Sequence, residues 1–109
     1  MTEFPKHSSI YWFDPEPVIG SVIRKIRPYI VISPNEMNEH LNTVIVAPHT
    51  SNLTPWSFRL TIDLLKQKSS IACDQIRAVD KTRLRSRISN LSSYDKNRLY
   101  NLIQTMFSE

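Results

Sequence analysis

The apolar residues of this chain come in short bursts rather than in long periodic runs. Ile10–Phe13 (IYWF), Arg27–Ser33 (RPYIVIS) and Thr43–Pro48 (TVIVAP) are rich in β-branched and aromatic side chains, and each predicts a strand. Pro28 has no N–H to give a ladder, so it fits only at the start of its strand or on an edge. Ser57–Ile62 (SFRLTI) alternates large apolar with polar residues, as a half-buried strand does, and Ser69–Cys73 (SSIAC) is a short apolar successor. Leu84–Ile88 (LRSRI) alternates too, which assigns Arg85 and Arg87 to one face and Leu84, Ser86 and Ile88 to the other. Short strands at such close spacing predict a small β-barrel.

The period changes near the C-terminus. From Leu91 onward, Leu99, Leu102, Ile103, Met106 and Phe107 recur at helical spacing, and Ser92 followed three residues later by Asp95 resembles a capping box. One amphipathic α-helix is therefore expected to close a mainly β fold. No repeat, low-complexity stretch or linker interrupts the chain, and 109 residues suit a single domain spanning 1–109.

Charge and cysteine content narrow the function. A formal net charge of +4 suits an anionic partner, of which nucleic acid is the commonest. The longest apolar run is far too short for a membrane span, and MTEFPKHSS has no apolar core of a signal peptide, so a soluble cytoplasmic protein without membrane contact is expected. The single cysteine, Cys73, allows no internal disulfide and no cysteine-rich metal site. His7, His40 and His49 are too far apart in sequence to suggest a ligand set, and no metal or cofactor is expected.

One stretch is out of keeping with a plain barrel. In IRKIRPYIVIS, Arg24, Lys25 and Arg27 crowd the mouth of a strand that reads as buried. The connection before it, from Asp14 to Lys25, is long for a barrel and holds Gly20, the only glycine, expected at a turn of positive φ. Loops of this length in compact domains often carry function.

Four segments in order then carry a resemblance: WFDPEPVIGSVIRKIRPYIVIS, LNTVIVAPHTSN, CDQIRAVDKTRL, and ISNLSS followed by the helix. Over nearly its whole length the chain resembles the MazF/PemK family of toxin endoribonucleases. The resemblance implies an SH3-like barrel of the MazF/PemK/CcdB type that forms a homodimer. It implies cleavage of single-stranded messenger RNA at short sequences without a metal, by attack of a ribose 2′-OH, leaving a 2′,3′-cyclic phosphate and a 5′-OH. It also implies a cognate antitoxin whose flexible acidic and apolar tail blocks the active site, with DNA met only indirectly through the toxin–antitoxin complex.

Site residues follow from the same resemblance. Arg27, at the R-P step, matches a catalytic arginine, whose planar fork can meet two phosphoryl oxygens as negative charge builds on them. Thr50, in APHTSN, falls on the functional Thr/Ser position and would hydrogen-bond the scissile phosphate; Ser51 and Asn52 follow it as RNA contacts. Asp74 in CDQIR matches an acid/base aspartate of the PemK-like branch; the alternative is a strand-end carboxylate capping a turn or pairing with Arg77. Ser21, Arg24 and Lys25 are expected to guide the RNA, and Gln75 and Arg77 to touch it. His49 is a rival acid or base, but strand alternation turns it away from a cleft that Thr50 faces. Trp56 and Phe58 are candidate base-stacking rings, whereas Trp12 and Tyr29 read as structural.

Departures from the family pattern matter equally. Ser8-Ser9 stands where many members have Gly-Asp, and Val22 stands where some carry a glutamate proposed as general base. Proton abstraction is thereby left unassigned. Val22 is the feature that favours an alternative, a non-enzymatic toxin of the same fold that poisons a protein such as DNA gyrase. A non-toxic RNA-binding barrel is the third reading.

Overall fold

The computed structural model describes residues 3–15 and 25–108. Its strands are β1 (Ser9–Phe13), β2 (Arg27–Val31), β3 (Thr43–Thr50), β4 (Arg59–Leu64), β5 (Gln67–Ala72), β6 (Arg77–Asp80) and β7 (Leu84–Asn90), with helices α1 (Asn35–His40) and α2 (Ser93–Met106). They form a curled antiparallel sheet in the order β4-β5-β3-β2-β1-β7, with β6 also on β3. This is the mainly β half-barrel with a C-terminal helix that the strand pattern anticipates. Among the described residues no helix is long and apolar enough to cross a membrane.

β3 is the corner of the fold. Its first half, Thr43 to Val46, pairs with β6, and its last two residues, His49 and Thr50, pair with β5. Tyr29, Ile30 and Val31 of β2 pair with Pro48, Ala47 and Val46 along the other edge. A strand shared in this way bends the sheet and gives it two apolar faces. One face packs Ile10, Ile30, Ala47, Leu60, Ile62 and Ile71 against Leu99 of α2. The other gathers Phe13, Tyr29, Val31, Val44, Val46 and Val79. Each large apolar side chain so buried contributes on the order of 1.5–3 kcal/mol.

The closing helix forms as its sequence directs. Leu99 is fully buried, Leu102, Ile103 and Met106 pack beside it, and the Ser92 hydroxyl accepts the Asp95 N–H at 3.1 Å. Phe107 departs from the expected stripe: it caps the helix and is 74% exposed.

Three other expectations need correction. α1 has no apolar period to announce it; it is held instead by tertiary polar contacts. The buried Asn38 side chain bonds Ser33, and Lys81 donates to the carbonyls of Asn38 (2.6 Å) and Leu41 (2.8 Å) at its C-terminus. β6 is a four-residue strand with only Val79 buried, too short to show alternation. In β7 the alternation misleads, because two register shifts against β1 put Leu84 with the Phe13 face and Ile88 with the Leu99 face, not on one side.

The β4–β5 hairpin is also tighter than the sequence suggests. Leu64 pairs with Gln67, so Leu65 and Lys66 alone make the turn, at φ of 53° and 62°. That geometry ordinarily selects Asn-Gly, and its absence hides the hairpin. Ser8, too, is left-handed, at φ 70°. It keeps its backbone bonds, donating to Val31 O (2.7 Å) and accepting from Leu91 N–H (3.0 Å), and its hydroxyl sits 3.2 Å from Tyr100 Oη. The conformation explains why a glycine would suit this position.

Candidate active site

Arg27 opens β2 opposite Phe13 of β1. On its other side the β2–β3 register, which last pairs Tyr29 with Pro48, sets Arg27 opposite Thr50 when continued by two residues. The two side chains therefore share one face at a point where β2 begins and β3 ends. Arg27 and Thr50 line one cleft of about 280 Å³ together with Lys25, Ser51, Trp12 and His49. Among the described residues, no hydrogen bond or ion pair uses the Arg27 guanidinium.

Thr50 is held by its own loop. The Asn52 N–H donates to Thr50 Oγ1 at 3.1 Å, while Asn52 Oδ1 accepts from the Thr54 N–H (3.1 Å) and hydroxyl (2.7 Å). With one lone pair of Oγ1 so used, the hydroxyl proton is left to be donated into the cleft. Asn52 is thus first a brace for Thr50. Across the strand, Ser70 pairs with Thr50, and its Oγ is buried without a partner among the described residues.

His49 is turned inward as strand alternation requires, and is only 3% exposed. Its Nδ1 is 3.3 Å from Ser69 Oγ, its Nε2 is buried without a partner among the described residues, and burial lowers its pKa to about 4. Yet it lines the same cleft as Thr50, from the core side. Trp12, expected as structural only, lines the cleft as well, because it pairs with Pro28 at the strand ends. Gln67, Lys68 and Ser69 also line it, unforeseen because the hairpin that brings them there was not legible.

The structure does not bring Asp74 to this corner. Asp74 lies in a 3₁₀ turn just past β5, at the base of the β4–β5 hairpin, whereas the cleft lies at its tip. Its partner is not Arg77 but Arg59, whose Nε and Nη2 donate to the two carboxylate oxygens at 3.0 and 3.1 Å. That hydrogen bonding holds the carboxyl below the usual carboxylate range. Gln75 is exposed in the same turn. Arg77 pairs with Val46, which places it on the Thr50 face of β3; it donates to Tyr29 Oη at 3.3 Å and lies over the Phe13 and Tyr29 rings. Tyr29 is accordingly structural, its ring packed at a tilt against Phe13 with centroids 4.3 Å apart. Trp56, half exposed, stacks on Phe58 at 5.5 Å in the β3–β4 loop. Gly20, Ser21, Val22 and Arg24 lie outside the described residues. Among the described residues, no group of three or more His, Cys, Asp or Glu is placed to hold a metal ion.

Comparison with known proteins gives this corner a context. Residues 6–107 match the family described as PemK-like, MazF-like toxin of type II toxin–antitoxin system. Endoribonuclease MazF of Staphylococcus saprophyticus is 31% identical over 104 residues, covering 90% of this chain and 87% of that protein. Two solved structures superpose well at lower identity. A MazE–MazF structure from Deinococcus radiodurans has a TM-score of 0.82 at 18% identity, covering 96% of each chain. A mycobacterial endoribonuclease in complex with its cognate antitoxin has a TM-score of 0.77 at 17% identity, covering 93% of this chain and 92% of that one.

Proposed function

The chain belongs to the PemK-like, MazF-like toxins of type II toxin–antitoxin systems, and from that premise we propose that it is a metal-independent endoribonuclease that cuts single-stranded messenger RNA in the cytoplasm. The observation that carries this reading is the meeting in one cleft of an Arg27 guanidinium with no hydrogen-bond or ion-pair partner among the described residues and a braced Thr50 hydroxyl.

Chemistry follows from that pair. A ribose 2′-OH attacks the adjacent phosphorus, its proton passes to a base, the P–O5′ bond breaks, and the 5′ oxygen takes up a proton. Negative charge on the non-bridging oxygens peaks in between. Arg27 meets two of those oxygens with its fork, and Thr50 donates its free hydroxyl proton to the same group. Lys25 and Ser51 on the rim, and Arg77 on the same sheet face, hold flanking backbone. His49 is poorly suited to be the base, because an imidazole with a pKa of about 4 draws little of the proton in the transition state. Asp74, with its carboxylate filled by Arg59, clasps the turn after β5.

The acting unit is proposed to be a homodimer, with the acidic tail of an antitoxin ordering over the cationic rim and excluding RNA. Saturating antitoxin should therefore suppress RNA binding and cleavage together; loss of neither would break the competition model. The activity itself is tested by incubating the protein with a long RNA in EDTA and mapping the ends. Cleavage should persist, and the 3′ ends should resist ligation until a cyclic phosphate is opened. Activity lost in EDTA and restored by magnesium would overturn the metal-free mechanism.

A further inference from the structure

The cleft has an inner side that phosphate chemistry does not use. Register divides its lining in two. Arg27 and Thr50 stand on one face of the sheet, while Trp12, Pro28 and His49 stand on the other, and the cleft wraps over the strand ends so that both sets line it. Leu64 and Gln67, which close the β4–β5 hairpin, complete the inner wall with Ser69.

This inner side is unlike a phosphate site. Its polar groups, His49, Ser69 and Gln67, are neutral, and Lys68, which the register sets on the Thr50 face, is paired with Asp63 at 2.9 Å. The cations of the outer rim, Lys25 and Arg27, have no ion-pair partner among the described residues. Trp12, Pro28 and Leu64 instead offer apolar walls. Leu65 is held over the same space by a left-handed turn that a non-glycine residue adopts only when its surroundings fix it. Beneath, His49 Nε2 is buried with no partner among the described residues, a state that buried polar atoms rarely keep unless something else completes them.

We propose that this inner side takes one nucleobase of the RNA strand beside the cut phosphate, its flat faces against Trp12 and Leu64 and its polar edge read by His49 and Gln67. The inference rests on the endoribonuclease reading and adds to it a residue set that decides sequence preference at one position. Neutral imidazole suits this work. Ser69 Oγ, 3.3 Å from Nδ1, can accept from that nitrogen or donate to it, so the neutral ring can present either an acceptor or a donor at Nε2 to the base. A side chain that reads a base edge specifies sequence, whereas the rim cations that grip phosphate only position the strand.

The test is to cut a random-sequence RNA library with wild type, His49→Leu, Ser69→Ala and Gln67→Ala, and to map cleavage sites position by position, with melting curves for each protein. Wild type should show a preference beside the cut, and His49→Leu and Gln67→Ala should relax it at one position by about tenfold, leaving the other positions unchanged. Ser69→Ala should relax the same position less. Gln67 is exposed, so its truncation leaves folding intact and decides the matter even if His49→Leu does not fold. A consensus unchanged in every folded variant, with rates altered equally on all sequences, would overturn this inference alone. A wild type that cuts no RNA would overturn it together with the endoribonuclease reading.

Discussion

Arg27 and Arg59 occupy the same place in their strands, each being the first residue, of β2 and β4 respectively. Their surroundings separate them. Arg59 has both prongs filled by Asp74, at 3.0 and 3.1 Å, which makes it a clasp between β4 and the turn after β5. Arg27 meets no carboxylate among the described residues and shares a cleft with the Thr50 hydroxyl. A guanidinium already filled by a carboxylate cannot also grip a phosphate, so the partner and not the residue type decides which arginine is free for chemistry.

The two corners should come apart in an acid titration of stability. The His49 pKa is lowered to about 4 in the folded protein, so the unfolded chain binds the extra proton between the ordinary value near 6.5 and that point. Stability from keeping His49 neutral is complete above pH 6.5 and is lost as pH falls toward 4, by about 3 kcal/mol in all. Asp74 is also shifted down, but by a partner that favours its charge and in a lower window: its carboxyl is held below its ordinary value of 3.8, so what the Arg59 clasp contributes persists to that pH and fades only below it. Denaturant unfolding from pH 8 to 3 should show the first loss, and His49→Leu should abolish it. A flat profile between pH 6.5 and 4 would contradict the buried neutral imidazole.

Thr50→Val keeps the branched shape but removes the donor, and single-turnover cleavage should fall on the order of a hundredfold. Breaking the clasp should do something different. Arg59→Ala or Asp74→Asn should lower Tm only modestly while leaving the rate at saturating RNA within about twofold of wild type, since an ion pair near the surface is screened by solvent. A large rate loss in a folded Asp74→Asn protein would restore that carboxylate to the chemistry. Smaller still, Lys66→Gly relieves a left-handed lysine in the β4–β5 turn and should stabilise by less than or about 1 kcal/mol, read from a raised Tm.

Local pattern and tertiary placement were unequally legible in the sequence. Dense β-branched runs such as TVIVAP, the Ser92–Asp95 cap and the Leu99 stripe each announce an element because the signal is confined to a few neighbouring residues. α1 is different: it depends on Lys81, distant in sequence, reaching its last carbonyls. In β7 the bulges break a strict period of two, so its alternation points to the wrong faces. At the site, Arg27 and Thr50 were found through family motifs, and the sheet register now supports their pairing. Trp12 reads as structural, and Gln67 carries no signal at all, because their place in the cleft depends on strand ends meeting and on a hairpin turn without Asn or Gly. The partner of Asp74 was equally hidden, since Arg59 and Arg77 are both plausible from spacing and only the β4–β5 register brings Arg59 across.

The central claim is that Arg27, not Arg59, is the arginine that meets the reacting phosphate. Its most direct test is single-turnover cleavage by Arg27→Lys at saturating RNA, beside Arg59→Lys, with both proteins checked by melting. Lysine keeps the charge and loses the two-pronged fork, so Arg27→Lys should bind RNA nearly as wild type does yet cut it on the order of a hundredfold to a thousandfold more slowly, while Arg59→Lys cuts at close to the wild-type rate. Wild-type turnover by Arg27→Lys, with chemistry lost in a folded Arg59→Lys, would contradict the account.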